Sequence, residues 1–198
     1  ANVTRMTADV AGVIIAAVHG ATQAKNALAV AAALNCVEPE ALAGFFHASL
    51  SADIDAKPIA IGLAASPGAA TGRIVLTSNA AMTAGEAGEH VILVRRETTP
   101  DDVLGMQASQ GILTSRGGMV SHAAVVARGW GIPAVVAAAE VRIEADTVTI
   151  GDQILQAGDE ITIDGSTGHI YAGVLATSGV AAPPELTTLL AWADTVAA

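Results

Sequence analysis

The chain has 198 residues, 9 of them Lys or Arg against 19 Asp or Glu, for a formal net charge of -10; no segment gathers the basic residues, which argues against nucleic acid and anionic membranes as partners. Hydrophobic residues make up 52%, but Ala and Val supply most of them, and no charge-free run approaches the roughly 18 apolar residues that a membrane span needs. The length accommodates one domain with a core yet is short for an enzyme handling several substrates, so a fragment or carrier piece is expected, in keeping with a start at Ala1 that lacks an initiator Met.

In chain order, residues 8 to 34 are rich in Ala with Val, Ile and Leu, and Pro39-Glu40-Ala41-Leu42 opens a second helical pattern with Pro in the first turn. Residues 1 to about 50 therefore read as helices. Cys36 is the sole cysteine, which rules out an internal disulfide or a cysteine metal cluster; with no signal-peptide pattern ahead of it, a reducing cytoplasm fits best. Asp53 to Pro58 is a polar break. Beyond it, short β-branched runs at Arg73 to Thr77, Val91 to Val94, Gly111 to Ser115 and Ala134 to Ala137 alternate with helix-like stretches at Ser78 to Ala87, Pro100 to Ser109 and Ser121 to Arg128. Such alternation predicts an α/β domain. Glu160 to Asp164 and His169 to Tyr171 flank Gly165-Ser166-Thr167-Gly168 as a hairpin, so parallel and antiparallel strands should mix. Ala176 to Pro184 reads as a linker, and Glu185 to Val196 as a last amphipathic helix carrying Leu189, Leu190 and Trp192.

The chemistry concentrates between Gly111 and Gly129. This stretch reads as a buried strand, a glycine turn, and a helix with Ser121 as N-cap and Gly129 as C-cap residue. His122 then sits on the first turn, where unpaired N-H groups and the positive end of the helix dipole favour an anion. Gly117 and Gly118 let backbone approach that anion closely. Neutral imidazole is nucleophilic near pH 7 and forms a phosphoramidate that transfers onward readily, which suits a covalent phosphoryl relay. Either Arg116 or Arg128 could offer a planar fork to phosphate oxygens. By itself this pattern is unspecific, because glycine turns commonly precede helices. A metal site at His122 is disfavoured by Val125 and Val126, which cannot ligate.

Thr114-Ser-Arg-Gly-Gly-Met-Val-Ser-His-Ala-Ala-Val-Val-Ala-Arg-Gly-Trp-Gly-Ile-Pro133 resembles the phosphohistidine signature of the phosphoenolpyruvate-utilising enzymes, and within them most closely that of the pyruvate phosphate dikinases. Lys57 to Ile74 is similar to the opening of the family's swivelling domain; it is not a Walker loop, since no Gly-Lys-Ser/Thr follows. Val91 to Asp102 resembles the strand and helix start in which a Thr before Pro comes near the active histidine, and Thr99 matches that position. The residues alone read Thr99 as a helix N-cap with Pro100 at N1. Asp164 to Gly173 resembles the closing hairpin, where His169 reads as structural. One departure is Val120, where the family usually has Thr.

The resemblance implies an α/β swivelling phosphohistidine domain of mixed β-sheet layers and helices, with flanking helical segments. Residues 1 to 56 would be a helical segment from the end of the nucleotide-binding half. Residues 57 to 175 would be the carrier, and 176 to 198 a linker and helix toward a pyruvate/phosphoenolpyruvate-binding domain. His122 would accept the phosphoryl group with Arg116, Gly117, Gly118, Ser121 and Thr99 in support, relaying phosphate between ATP/phosphate and pyruvate/phosphoenolpyruvate. ATP and Mg2+ would bind mainly to the other domains, so this chain should not turn over alone, and the resemblance leaves room for a homodimer of the full enzyme. The rivals are the carrier domain of phosphoenolpyruvate synthase or a related phosphotransferase, and a non-catalytic module of the same fold. Loss of the histidine or of the glycine pair would favour the last, and both are present.

Overall fold

A computed structural model describes residues 3–24, 27–36, 48–51, 56–179 and 183–197. Contacts divide the chain into two units, Ala1–Phe46 with Gly179–Ala198, and His47–Ser178. In the first unit, α1 (Val3–Ala24), α2 (Ala27–Asn35) and α6 (Pro184–Ala197) share a core of Ile14, Val18, Ala21, Ala33, Leu186 and Leu189. Ile14, Val18 and Ala21 recur at helical spacing, and Leu186 and Leu189 likewise fall on one face of α6. The helical pattern read from Pro39 lies outside the described residues. The expectation of helix to about residue 50 is corrected at its end, where Ala48–Leu50 is a strand, β1, paired with β13 (Thr177–Gly179).

The second unit is built on one eight-stranded sheet. Its elements are β2 (Ala60–Ile61), β3 (Leu63–Ser66), β4 (Ala69–Val75), α3 (Ser78–Glu86), β5 (Val91–Arg95), α4 (Val103–Ala108), β6 (Gly111–Thr114), α5 (His122–Trp130) and β7 (Ala134–Val136). There follow β8 (Val141–Glu144), β9 (Thr147–Ile150), β10 (Gln153–Gln156), β11 (Glu160–Asp164) and β12 (His169–Ala172). The strand order is β2-β12-β11-β4-β5-β6-β7-β3. Strands β4 to β7 run parallel through helical crossovers, whereas β11, β12, β2 and β3 join antiparallel, so the expected mixture is present. The two edge strands, β2 and β3, are separated only by Gly62, so the sheet curls until its edges meet. A side chain at Gly62 would run into Val135 Cγ1 and the Val136 carbonyl, which makes glycine a steric requirement of that closure.

The parallel strands are buried on both faces, as helical crossovers on one side and a second layer on the other require. With period two, Val91 and Leu93 of β5 face α3, α4 and α5, meeting Ala81, Ala84, Met106, Ala123, Ala124 and Ala127. Ile92 and Val94 face the other way, into a core with Val141, Val148, Ile150, Ile161, Ile163 and Ile170. The helices present mostly Ala to the sheet, which allows close approach. The β8-β9-β10 meander, absent from the sequence reading, supplies part of the second layer. Its first turn is Ala145-Asp146, with Ala145 at φ 52, so no Asn-Gly or Asp-Gly signal announces it.

Candidate functional site

The site lies at the carboxyl ends of the parallel strands β5 and β6. Ser121, at φ -67 and ψ 160, caps α5 by accepting a hydrogen bond from Ala124 N at 3.4 Å, and His122 is the first helical residue, as its sequence context predicts. The helix outruns the expected end: Gly129 lies within it, and Gly131, at φ 69 in the left-handed region, terminates it. The closing hydrogen bonds run from Gly131 N to the Arg128 carbonyl at 3.3 Å and from Ile132 N to the Ala127 carbonyl at 3.0 Å, beyond the first glycine. Before the helix, Gly117 adopts φ 107, where an added Cβ would also press on Ser121 Cβ at 3.0 Å. The turn into the cap therefore calls for glycine at 117, while Gly118 has open space around it.

The ring of His122 is half-buried. Its Nδ1 lies 3.0 Å from Thr98 Oγ1, and among the described residues Nε2 has no hydrogen-bond partner. The contact expected of Thr99 thus belongs to its neighbour, a correction of one position. Thr99 is instead the N-cap of a 3-10 turn (Pro100–Asp102), as its alternative reading had it. Thr99 N and Oγ1 both donate to Asp102 Oδ2, at 2.9 and 3.2 Å. Asp102, only 4% exposed, also pairs with Arg95 at 3.3 Å, and Arg95 Nη1 donates to the Leu76 carbonyl at 3.0 Å. This chain of contacts fixes the Thr98-Thr99 corner, with Thr98 buried and aimed at the ring. Sequence reasoning missed Thr98, Asp102 and Arg95; the tandem threonine before Pro100 was the available signal, and extended backbone points neighbouring side chains to opposite sides.

The two candidate arginines part company. Arg128 donates through Nη1 to the Ala65 carbonyl at 3.1 Å and through Nη2 to the Met119 carbonyl at 2.6 Å, so its fork ties the loop before His122 to β3. Arg116 is exposed, and its guanidinium has no hydrogen-bond or ion-pair partner among the described residues. Its backbone is held by Arg116 N to the Arg96 carbonyl at 2.8 Å and by Thr114 Oγ1 to its own carbonyl at 2.8 Å. Met119 and Val120, 44% and 90% exposed, lead up to the histidine, and Val125 is 53% exposed. His169 stands apart from the site, its Nδ1 3.2 Å from the Tyr171 hydroxyl, consistent with a structural part.

Chemically, the arrangement offers one imidazole with Nδ1 engaged and Nε2 open, at the N-terminus of a capped helix beside a glycine loop. If Nδ1 keeps its proton and donates to Thr98 Oγ1, the lone pair resides on Nε2. That is a nucleophile placed where developing negative charge meets unpaired backbone N-H groups.

A family model described as "PEP-utilising enzyme, mobile domain" matches residues 87–168. Pyruvate, phosphate dikinase 1 of Arabidopsis thaliana is 44% identical over 168 residues, covering 83% of this chain and 17% of its own. The dikinase of Flaveria pringlei is 48% identical over 140 residues, covering 70% and 15%. That of Clostridium symbiosum is 49% identical over 138 residues, covering 69% and 16%. The chain thus spans about one sixth of the length of the curated relatives it matches. Sequence signature and mixed α/β fold agree with these matches, and the chain belongs to the phosphoenolpyruvate-utilising enzyme family, of which it carries the mobile domain.

Proposed function

We propose that this chain is the central phosphoryl carrier of a pyruvate phosphate dikinase, with His122 as the residue that accepts and passes on the phosphoryl group. The observation that carries the reading is the contact of Thr98 Oγ1 with His122 Nδ1, which leaves Nε2 as the free nitrogen at the start of α5. Its lone pair attacks the donor phosphorus, the P-O bond to the leaving group breaks with its electrons going to that oxygen, and an N-P bond forms. The proton on Nδ1 stays in place, held by Thr98. Ser121 keeps the helix end formed, Gly117 and Gly118 allow close approach, and Arg116 supplies positive charge beside the loop. Thr99 contributes through the cap that positions Thr98.

On this reading the outer phosphates of ATP pass to His122, inorganic phosphate removes one of them, and the remaining group passes to pyruvate to give phosphoenolpyruvate, or the reverse. That the match takes up only about one sixth of the relatives' length supports a division of labour in which other domains bind ATP and pyruvate. Residues 57–175 then swing between those domains on linkers near 51–57 and 176–184. Magnesium belongs to the substrate sites. Among the described residues no group of three or more His, Cys, Asp or Glu stands together to hold an ion. No helix among the described residues is long and apolar enough to cross a membrane. The location proposed is the cytoplasm, supported by the lone, exposed Cys36; the plant relatives are described as chloroplastic.

The test is to incubate the chain, joined to its nucleotide- and pyruvate-binding domains, with labelled phosphoenolpyruvate and to locate the acid-labile label. Label on His122 and none in a His122→Ala protein is the expected result. Label persisting in that variant overturns the assignment.

A further inference from the structure

Three arginines converge on a cleft, and of these the proposed relay uses only Arg116. Arg96 follows the last residue of β5, Arg116 lies two residues beyond the last of β6, and Arg142 is the second residue of β8; with Ser115, Ala139, Val141, Ile143 and Glu144 they line a space of about 450 Å³. In a chain with only 9 Lys and Arg residues, three of them in one cleft is a marked concentration of positive charge. The ion pairs among the described residues are His19 with Glu185, Arg73 with Glu89 and Arg95 with Asp102. None involves these three, although Glu144 lines the same space.

The backbone holds two of the arginines side by side. Parallel pairing of β5 with β6 continues past the strand ends through Ser115 N to the Arg95 carbonyl at 3.1 Å and Arg116 N to the Arg96 carbonyl at 2.8 Å. Val141, 2% exposed, contributes an apolar part of the wall. The cleft lies at the carboxyl ends of the parallel strands β5 and β6, and planar guanidinium forks match phosphate oxygens.

We propose that this cleft is an anion site for a phosphate group, held by Arg96, Arg116 and Arg142 beside the loop that leads to His122. The choice of phosphate over other anions rests on the phosphoryl-carrier reading; the site itself does not involve His122. The group is either free inorganic phosphate or the terminal phosphate of a nucleoside polyphosphate. Glu144 opposes it, and three guanidiniums outweigh one carboxylate.

The experiment is a titration of the 198-residue chain with inorganic phosphate, followed through the arginine Nε-H resonances, with chloride holding ionic strength constant. Saturable shifts of Arg96, Arg116 and Arg142 are expected. The Arg96→Ala/Arg142→Ala protein should bind at least about tenfold more weakly; an Arg96→Lys/Arg142→Lys protein, which keeps the charge and loses the forks, should also weaken. Glu144→Gln should tighten binding. Parallel titrations with pyrophosphate and ADP separate the sources: equal or weaker binding of these assigns free phosphate, and tighter binding assigns a polyphosphate tail. Phosphate binding retained in His122→Ala shows that the cleft stands whether or not His122 is the acceptor, while labelling of His122 is scored separately. Shifts no larger than those given by chloride, or affinity unchanged in both double variants, overturn the proposal.

Discussion

Replacing Thr98 by Val keeps the shape of the side chain and removes the one hydroxyl that touches the His122 ring. The contact spans 3.0 Å, and Thr98 is 8% exposed, so water does not readily take the place of the lost partner. A neutral hydrogen bond of this kind is worth a net of about 1 kcal/mol, which corresponds to about a fivefold change in an equilibrium constant. The equilibrium concerned is between the ring held with Nε2 free to attack and the ring orientations that the Thr98 contact excludes, since a hydroxyl bonds Nδ1 in either tautomer. Thr98→Val should therefore lower the rate of His122 phosphorylation about fivefold, while Thr98→Ser retains it. The assay is incorporation of acid-labile label from phosphoenolpyruvate in the multidomain protein, paired with nitrogen chemical shifts of the His122 ring to read the Nδ1 contact. Thr99→Val is the control that decides the matter. It removes a hydroxyl that reaches only Asp102 and leaves the ring contact intact. A Thr99→Val protein slower than Thr98→Val, or ring shifts unmoved in Thr98→Val, would refute the reasoning.

The remaining predictions concern the frame and the loop. Asp102→Asn removes the charge that pairs with Arg95 inside the corner and should cost about 2 kcal/mol in urea unfolding. Ala145→Gly relieves a left-handed alanine, at φ 52, and should stabilise by about 1 kcal/mol, read as a higher melting temperature. Gly165→Ala would push a Cβ into the Ser66 carbonyl and should destabilise by about 3 kcal/mol or prevent folding. The Tyr171 phenol is held above its ordinary value by burial and then by the Asp164 carboxylate. The unfolded chain thus loses that proton first, and stability should fall as pH rises through the alkaline range, less so in Tyr171→Phe. Val120 offers no hydroxyl two residues before His122, where the resemblance to the dikinases implies a Thr that in some of them a regulatory kinase phosphorylates, and Ser121 Oγ is engaged with Ala124 N. Treatment with a dikinase regulatory kinase should inactivate Val120→Thr and spare the unmodified protein; phosphate found on Ser121 of the latter would contradict this.

The sequence by itself determined where His122 stands. A buried β-branched run, two glycines, Ser121 and then alanines at helical spacing leave the chain few local choices, because strand burial, turn sterics and capping all act within about four residues of one another. Hence β6, the cap and the position of His122 on the first turn were legible, as was the β11-β12 hairpin around its glycine turn. What local pattern did not decide is what meets His122 from elsewhere in the chain. Which of Thr98 and Thr99 faces the ring depends on how Asp102 and Arg95 hold a corner 24 residues away from the histidine, and adjacent residues of like type give no hint of direction. Likewise Arg116 and Arg128 look equivalent in sequence, but folding turns Arg128 onto two carbonyls and leaves Arg116 beside Arg96 and Arg142. The closure of the sheet through Gly62 and the β8-β9 turn at Ala145 were settled the same way, by contacts between distant strands that overrode weak local preference.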